Sequence, residues 1–182
     1  MRELVVSMAV SLDGYVADRH GGLEWMGPGI DAELKACLVD GLWRAGVHVM
    51  GRVTYEAMAE VWPTSTDDYA PPMNEIPKVV FSSTRRGPAQ WRGTQFTGED
   101  LAAGIARLKS EQGKEIFAHG GARFVQSLSA MGLVDEYRLR IHPVALGAGL
   151  PLFAAVPAAL RLRLVSSRTF GTGVAMNVYR PA

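Results

Sequence analysis

The sequence predicts an α/β domain with a mixed, mostly parallel central sheet, helices on both faces and antiparallel strands at the C-terminal end. Three observations predict it. Short apolar runs rich in β-branched residues alternate with segments of helical period as far as Met131. Strand, helix, strand repeated in this way pairs the strands in parallel through right-handed crossovers. After Asp135 three strand-like runs follow one another without a helix, and Gly171-Thr172-Gly173 is a credible hairpin turn between the last two.

The elements follow in order. Leu4 to Val10 is a strand buried on both faces, since it lacks polar alternation, and it ends at Ser11-Leu12-Asp13-Gly14. Asp13 to Ile30 reads as one long loop with Pro28 and several glycines, anchored by Tyr15, Trp25 and Met26; loops of this length in compact domains are usually functional or disordered. Asp31 to Trp43 is a helix, with Leu34, Leu38 and Leu42 at helical spacing and Cys37 a small buried neighbour. Val47 to Met50 is a second strand, and Arg52 to Val61 a helix stopped by Pro63. Pro71, Pro72 and Pro77 with Asp67 and Asp68 mark a surface connection before the buried strand Lys78 to Phe81. Asp100 to Gln112 is a helix with Leu101, Ile105 and Leu108 on one side; Glu115 to Ala118 is a strand, and Ala122 to Met131 a helix opened by two glycines. Glu136 to His142, Leu160 to Phe170 and Gly173 to Tyr179 are the closing strands.

Composition narrows the function. The 182 residues suit one domain, long enough to bury ~70% of the surface its unfolded chain exposes. Nineteen basic side chains against eighteen acidic ones leave no broad cationic field, so nucleic acid is not an expected partner. A single cysteine excludes an intrachain disulfide and zinc-finger spacing, no metal is expected, and a reducing cytoplasm is the expected location. The opening Met1 to Val10 does not read as an export signal, and no apolar run reaches the ~20 residues of a membrane span. A small-molecule substrate is the expected partner.

Candidate chemistry sits where strands end. Gly51-Arg52-Val53-Thr54 joins a strand to a helix: glycine permits close approach, the following amides can cradle a phosphate, and Arg52 adds charge. It reads equally as a plain helix start. Ser82-Ser83-Thr84-Arg85-Arg86 offers hydroxyls and guanidinium groups, suited to a ribose 2′-phosphate or to a solvated turn. His119-Gly120-Gly121-Ala122-Arg123-Phe124 places two glycines between a buried strand and a helix start, for a pyrophosphate or for a tight turn. The spacing is not the Rossmann fingerprint.

These three junctions, in this order after a strand ending in Ser11-Leu12-Asp13-Gly14, resemble the dihydrofolate reductase-like family, and most of all the riboflavin-biosynthesis reductase domain and its stand-alone relatives. The run from Val134-Asp135-Glu136-Tyr137 through His142-Pro143 and Gly147-Ala148-Gly149 to Leu152-Phe153 extends the likeness over nearly the whole chain; no counterpart of the deaminase half is present. The resemblance implies a three-layer dihydrofolate reductase-like fold and NADPH as cofactor. It implies that Ala9, Val10 and Gly14 face the nicotinamide, that Gly51 to Thr54 and His119 to Phe124 hold phosphates, and that Ser82, Ser83, Thr84 and Arg85 hold the adenosine end.

The acid is less defined. Folate reductases bind the pterin with a carboxylate on the first helix, and Asp31 shares a face with Leu34, Leu38 and Leu42; it is also a good helix N-cap. Asn74-Glu75-Ile76-Pro77 stands where folate reductases carry the arginine that grips the glutamate tail, which disfavours folate. The expected activity is hydride transfer from NADPH to an aminopyrimidine or other heterocycle, resembling 5-amino-6-(5-phosphoribosylamino)uracil reductase. Dihydrofolate reductase and a non-catalytic NADP-binding protein are the alternatives. The apolar content of the last strands and of Leu146 to Phe153 leads us to expect a homodimer.

Overall fold

Strand β1 (Leu4–Ser11) runs through the middle of an eight-stranded sheet in the computed structural model, which describes every residue except Pro28, Arg85, Arg86 and Ala155. Its side chains divide by parity, as the two-residue period of a strand requires. Leu4, Val6, Met8 and Val10 enter the larger core, while Ser7 and Ala9 are half-buried on the other face. Around it the chain forms β2 (Tyr15–Asp18), α1 (Ala32–Trp43), β3 (Ala45–Gly51), α2 (Arg52–Val61), α3 (Ala70–Glu75), β4 (Lys78–Phe81) and β5 (Thr94–Thr97). Then come α4 (Leu101–Ser110), β6 (Glu115–Ala118), α5 (Ala122–Ala130), β7 (Glu136–His142), β8 (Gly149–Pro151), β9 (Leu162–Thr169) and β10 (Ala175–Pro181).

The sheet order is β5-β4-β3-β6-β1-β7-β10-β9. The first six strands are parallel, and β10 and β9 add antiparallel at the end, as the sequence predicts. Helices cover both faces. Ile105 and Leu108 of α4 and Val125 and Leu128 of α5 pack with Val47, Val79, Ile116 and β1 in one core. On the other face Leu42, Tyr55 and Met73, from α1, α2 and α3, pack with Met50, Val80 and Phe117. Consecutive strand residues therefore serve opposite layers: Val79 and Val80, or Ile116 and Phe117. The result is the expected three-layer fold.

Four expectations change. Residues 13–30 are not all loop: β2 pairs antiparallel with β8, because Val16 and Ala17 are buried while a strand of four residues is too short to announce itself by alternation. The proline-rich connection contains α3, with Pro71 and Pro72 in its first turn, where the missing N–H has no helical partner to lose. Thr94–Thr97, polar in sequence, is the edge strand β5. The Leu146 to Phe153 plug is covered within the chain at its end, Leu152 fully buried and Phe153 against the Tyr137 ring at 5.6 Å, while Leu150 is 39% exposed. The β9 strand is also exposed, with Leu164 at 51% and Val165 at 47%.

Candidate active site

The C-terminal ends of β4, β3, β6 and β1 are neighbours and point the same way, so the three junctions and the Ser11–Gly14 turn form one continuous rim. In parallel sheets this is the edge where ligands bind. Capping divides the four longer helices. Asp31 accepts from the Leu34 amide at the start of α1, and Asp100 accepts from Ala102 and Ala103 at the start of α4. By contrast α2 begins at Gly51 and α5 at Gly121, on adjacent strands, and no side chain caps either. Their first N–H groups carry the positive end of the helix dipole without an internal acceptor side chain.

The two starts are joined directly. Thr54 Oγ1 donates to the Gly120 carbonyl at 2.7 Å. Gly121 has φ +117°, and a Cβ there would collide with Thr54 Oγ1. This turn needs glycine for its own construction, so a Gly121→Val variant reports on the junction and not on a pyrophosphate alone. Phe124 packs its ring 5.9 Å from Phe81 and lies beneath Gly51. Ala122 is buried and Arg123 exposed. Val53 is 71% exposed, and Arg52 is exposed and ion-paired to Glu56 at 2.8 Å instead of standing free. Ser82 is buried, its hydroxyl accepting the Thr84 amide at 3.3 Å, while Ser83 and Thr84 are exposed. Arg85 and Arg86 lie outside the described residues.

At the β1 end, Gly14 turns with φ +90° and its amide donates to Ser11. Sequence reading missed why the preceding Asp13 matters. Its carboxylate accepts from Ser11 Oγ at 2.7 Å and from the Leu146 and Gly147 amides at 3.0 and 2.7 Å, tying the β1 turn to the glycine-rich loop. These bonds, the Ser11 hydroxyl first, hold its pKa down to about 2. Ala9 faces the layer that contains α1; the Val10 side chain enters the opposite core, so only its backbone could meet a ligand.

A cavity of about 290 Å³ opens between that sheet face and α1, α2 and α3. Apolar groups, among them Leu38, Leu42, Met58, Trp62, Met73 and Phe117, make most of its wall. Its polar side chains include Ser7, His119, Arg138 and Arg140, and no Asp or Glu is found among the described lining residues. Cys37, expected buried, is half-buried in the wall. Asp31 is not in the wall; its Oδ1 accepts the Leu34 amide at 2.8 Å as the cap of α1. The carboxylate that folate reductases set against a pterin thus has no counterpart in the described wall.

His119 is held by a short chain of bonds. His48 Nε2 lies 3.2 Å from the Pro72 carbonyl, and His48 Nδ1 lies 2.9 Å from His119 Nε2. A carbonyl only accepts, so His48 carries its proton on Nε2, its Nδ1 accepts, and His119 Nε2 donates. Nδ1 of His119 is left as an acceptor. Burial pushes the pKa of His48 down to about 4 and that of His119 well below the ordinary range, so both are neutral at pH 7.

The RibD C-terminal domain model matches residues 2–176. The chain belongs to the RibD C-terminal domain family. Among curated proteins it is 31% identical to the uncharacterized protein YyaP of Bacillus subtilis (strain 168), over 98% of this chain and 94% of that one. It is 30% identical to YwjB of the same organism, also uncharacterized, over 98% of each. Among solved structures, a provisionally assigned riboflavin biosynthesis protein of Shewanella sp. PV-4 superposes with TM-score 0.76 at 25% identity, over 98% of both chains. The deaminase/5-amino-6-(5-phosphoribosylamino)uracil reductase of Thermotoga maritima shares the fold, with TM-score 0.70 at 15% identity, over all of this chain and 57% of that one. Within the family's fold, the described residues hold no group of three or more His, Cys, Asp or Glu placed to bind a metal, and no helix long and apolar enough to cross a membrane.

Proposed function

We propose that this protein is an NADPH-dependent reductase that transfers hydride to a heterocyclic acceptor, in the manner of the reductases of riboflavin biosynthesis. The observation that carries the reading is the pair of uncapped helix starts, α2 and α5, at adjacent strand ends beside an apolar cavity. The residues present fit the cofactor. The first amides of α2, at Arg52 and Val53, and of α5, at Ala122 and Arg123, suit a pyrophosphate. The exposed Ser83 and Thr84 suit the adenosine end, and the Ala9 edge with the Gly14 turn suits the nicotinamide. Among the described residues Arg52 is held by an exposed i,i+4 pair, worth ~0.3–0.5 kcal/mol, which a phosphate displaces at little cost.

When bound, NADPH supplies the hydride, and the protein supplies position and a dry site. The apolar wall of Trp62, Met73 and Leu42 excludes water from the acceptor. Asp13 fixes the loop at the mouth of β1 through three hydrogen bonds, and neutral His119 offers an acceptor atom without adding charge. A cytoplasmic location accords with a reducing cofactor.

The test is calorimetric titration with NADPH and NADH, followed by the loss of reduced-nicotinamide absorbance across a panel of pyrimidine, pterin and other heterocyclic acceptors. The expected result is at least about tenfold tighter binding of NADPH, since one charge-assisted hydrogen bond to the 2′-phosphate is worth ~1.5–3 kcal/mol, together with turnover of at least one acceptor. Equal dissociation constants would remove the NADPH assignment. Tight binding without turnover on any acceptor would leave a non-catalytic nucleotide-binding protein.

A further inference from the structure

We infer that the cavity beneath α1 receives a flat, mainly apolar monoanion whose carboxylate or enolate oxygen is held by Arg140. The inference deepens the reductase reading, on which it rests only for the ligand's part as hydride acceptor.

Arg140 stands in the middle of β7 on the face turned to the cavity, with Arg138 and His142 at the same parity. Its only hydrogen bond to a described side chain runs from Nη1 to Ser7 Oγ at 2.8 Å, and it has no ion-pair partner among the described residues. A guanidinium carries five N–H donors, so most of its capacity is unspent.

The neighbouring charges make the contrast. Arg138 binds Glu136 at 2.7 Å and Glu115 at 2.8 Å, and Arg180 binds Glu136 at 2.8 Å and Glu3 at 2.8 Å. That ladder balances the Arg138 charge within the sheet, with Arg138 Nη1 and Glu115 Oε2 left without a described partner, and it ends before Arg140. Arg140 is half-buried, and burial lowers its pKa, the mark of a cation partly withdrawn from water without a compensating anion. An unpaired charge against apolar walls is costly, and a ligand anion removes the cost.

Charge, polarity and shape then define the ligand. The Arg138 charge is already engaged, and no carboxylate lies among the described wall residues, so one positive charge faces the space: a monoanion balances it, whereas a phosphate dianion would be left half-compensated. Ser7 Oγ accepts from Arg140, which frees its own hydrogen for the same anion. Phe117, Trp62 and Tyr69 offer ring faces and edges, and about 290 Å³ suits one or two fused rings.

The test uses isothermal titration of the full chain without cofactor, with 2-naphthoate and its neutral isostere 2-naphthamide as probes. The carboxylate is expected to bind at least about tenfold tighter than the amide. Arg140→Met should abolish that preference while leaving the amide affinity unchanged, and Arg140→Gln serves as a second variant with thermal melting as the folding control. Equal affinities for the two probes, no binding of either, or a preference intact in a folded variant would overturn the proposal. If neither variant folds, the wild-type comparison still decides. The titration needs neither NADPH nor turnover, so failure of the reductase reading and failure of this one are separately visible.

Discussion

Acid should destabilise this protein through His48 before it reaches the carboxylates. His48 is fully buried, bonded to the Pro72 carbonyl at 3.2 Å and to His119 at 2.9 Å. Burial pushes its pKa from 6.5 to about 4; the Pro72 bond opposes this and the Lys78 charge reinforces it. Between those two values the unfolded chain binds a proton that the folded chain refuses. Stability therefore rises with pH across the window and is lost as pH falls from about 6.5 towards 4. A shift of about 2.5 pKa units at 1.36 kcal/mol each gives about 3 kcal/mol, a large share of the ~5–15 kcal/mol that holds a domain together. His119, lowered by burial and by His48, acts in the same direction. Carboxylates with depressed pKa, such as Asp13 and Glu99, withdraw their contributions only near and below their ordinary values of 3.8 and 4.5, so the range from pH 6.5 to 4.5 reports mainly on histidine. The assay is urea denaturation at steps across that range for the wild type and for His48→Gln. The glutamine amide can still donate to Pro72 and its oxygen accept from His119, and it does not titrate. The variant should show a clearly flatter profile, and parallel profiles would refute the reasoning.

Two further outcomes follow from the same structure. Asp31→Asn should keep stability within about 0.5 kcal/mol and leave turnover intact, because asparagine caps as well as aspartate, whereas Asp31→Ala should cost about 1 kcal/mol; a tenfold loss of turnover in the asparagine variant at unchanged NADPH affinity would instead make Asp31 the acid. We propose a homodimer that covers the exposed β9 face around Leu164 and Val165. Light scattering at micromolar concentration should give twice the chain mass, reduced to one by Leu164→Asp with Val165→Asp, and a monomeric wild type would exclude it.

The sequence was most legible where a few residues are buried on both faces. Lys78–Phe81 and Glu115–Ala118 have the boundaries expected of them, because such strands are continuous apolar runs bounded by polar or glycine residues. The rim was legible for the same reason: a glycine or serine directly after a buried strand marks where the backbone leaves the sheet. The edges were not. Thr94–Thr97 is half-solvated and owes its place to pairing with β4, and Tyr15–Asp18 owes its place to β8, a partner far away in sequence. Helix α3 was hidden by prolines that break a helix interior but suit its first turn.

The cavity was missed although a signal for it was present. In Glu136-Tyr137-Arg138-Leu139-Arg140-Ile141-His142 every second residue is charged or a histidine, in a strand that lies inside the sheet between β1 and β10. A strand with strands on both sides and helices over both faces should be apolar at both parities, as β6 is at Ile116, Phe117 and Ala118. A polar parity there means that its face does not meet a close-packed apolar layer along its whole length. Part of it is neutralised by the ion pairs of Glu136, Arg138 and Arg180; the part at Arg140 and Ser7 is met by the cavity. The alternation in β7 thus assigns the open face of the sheet, the face against which the cavity beneath α1 lies.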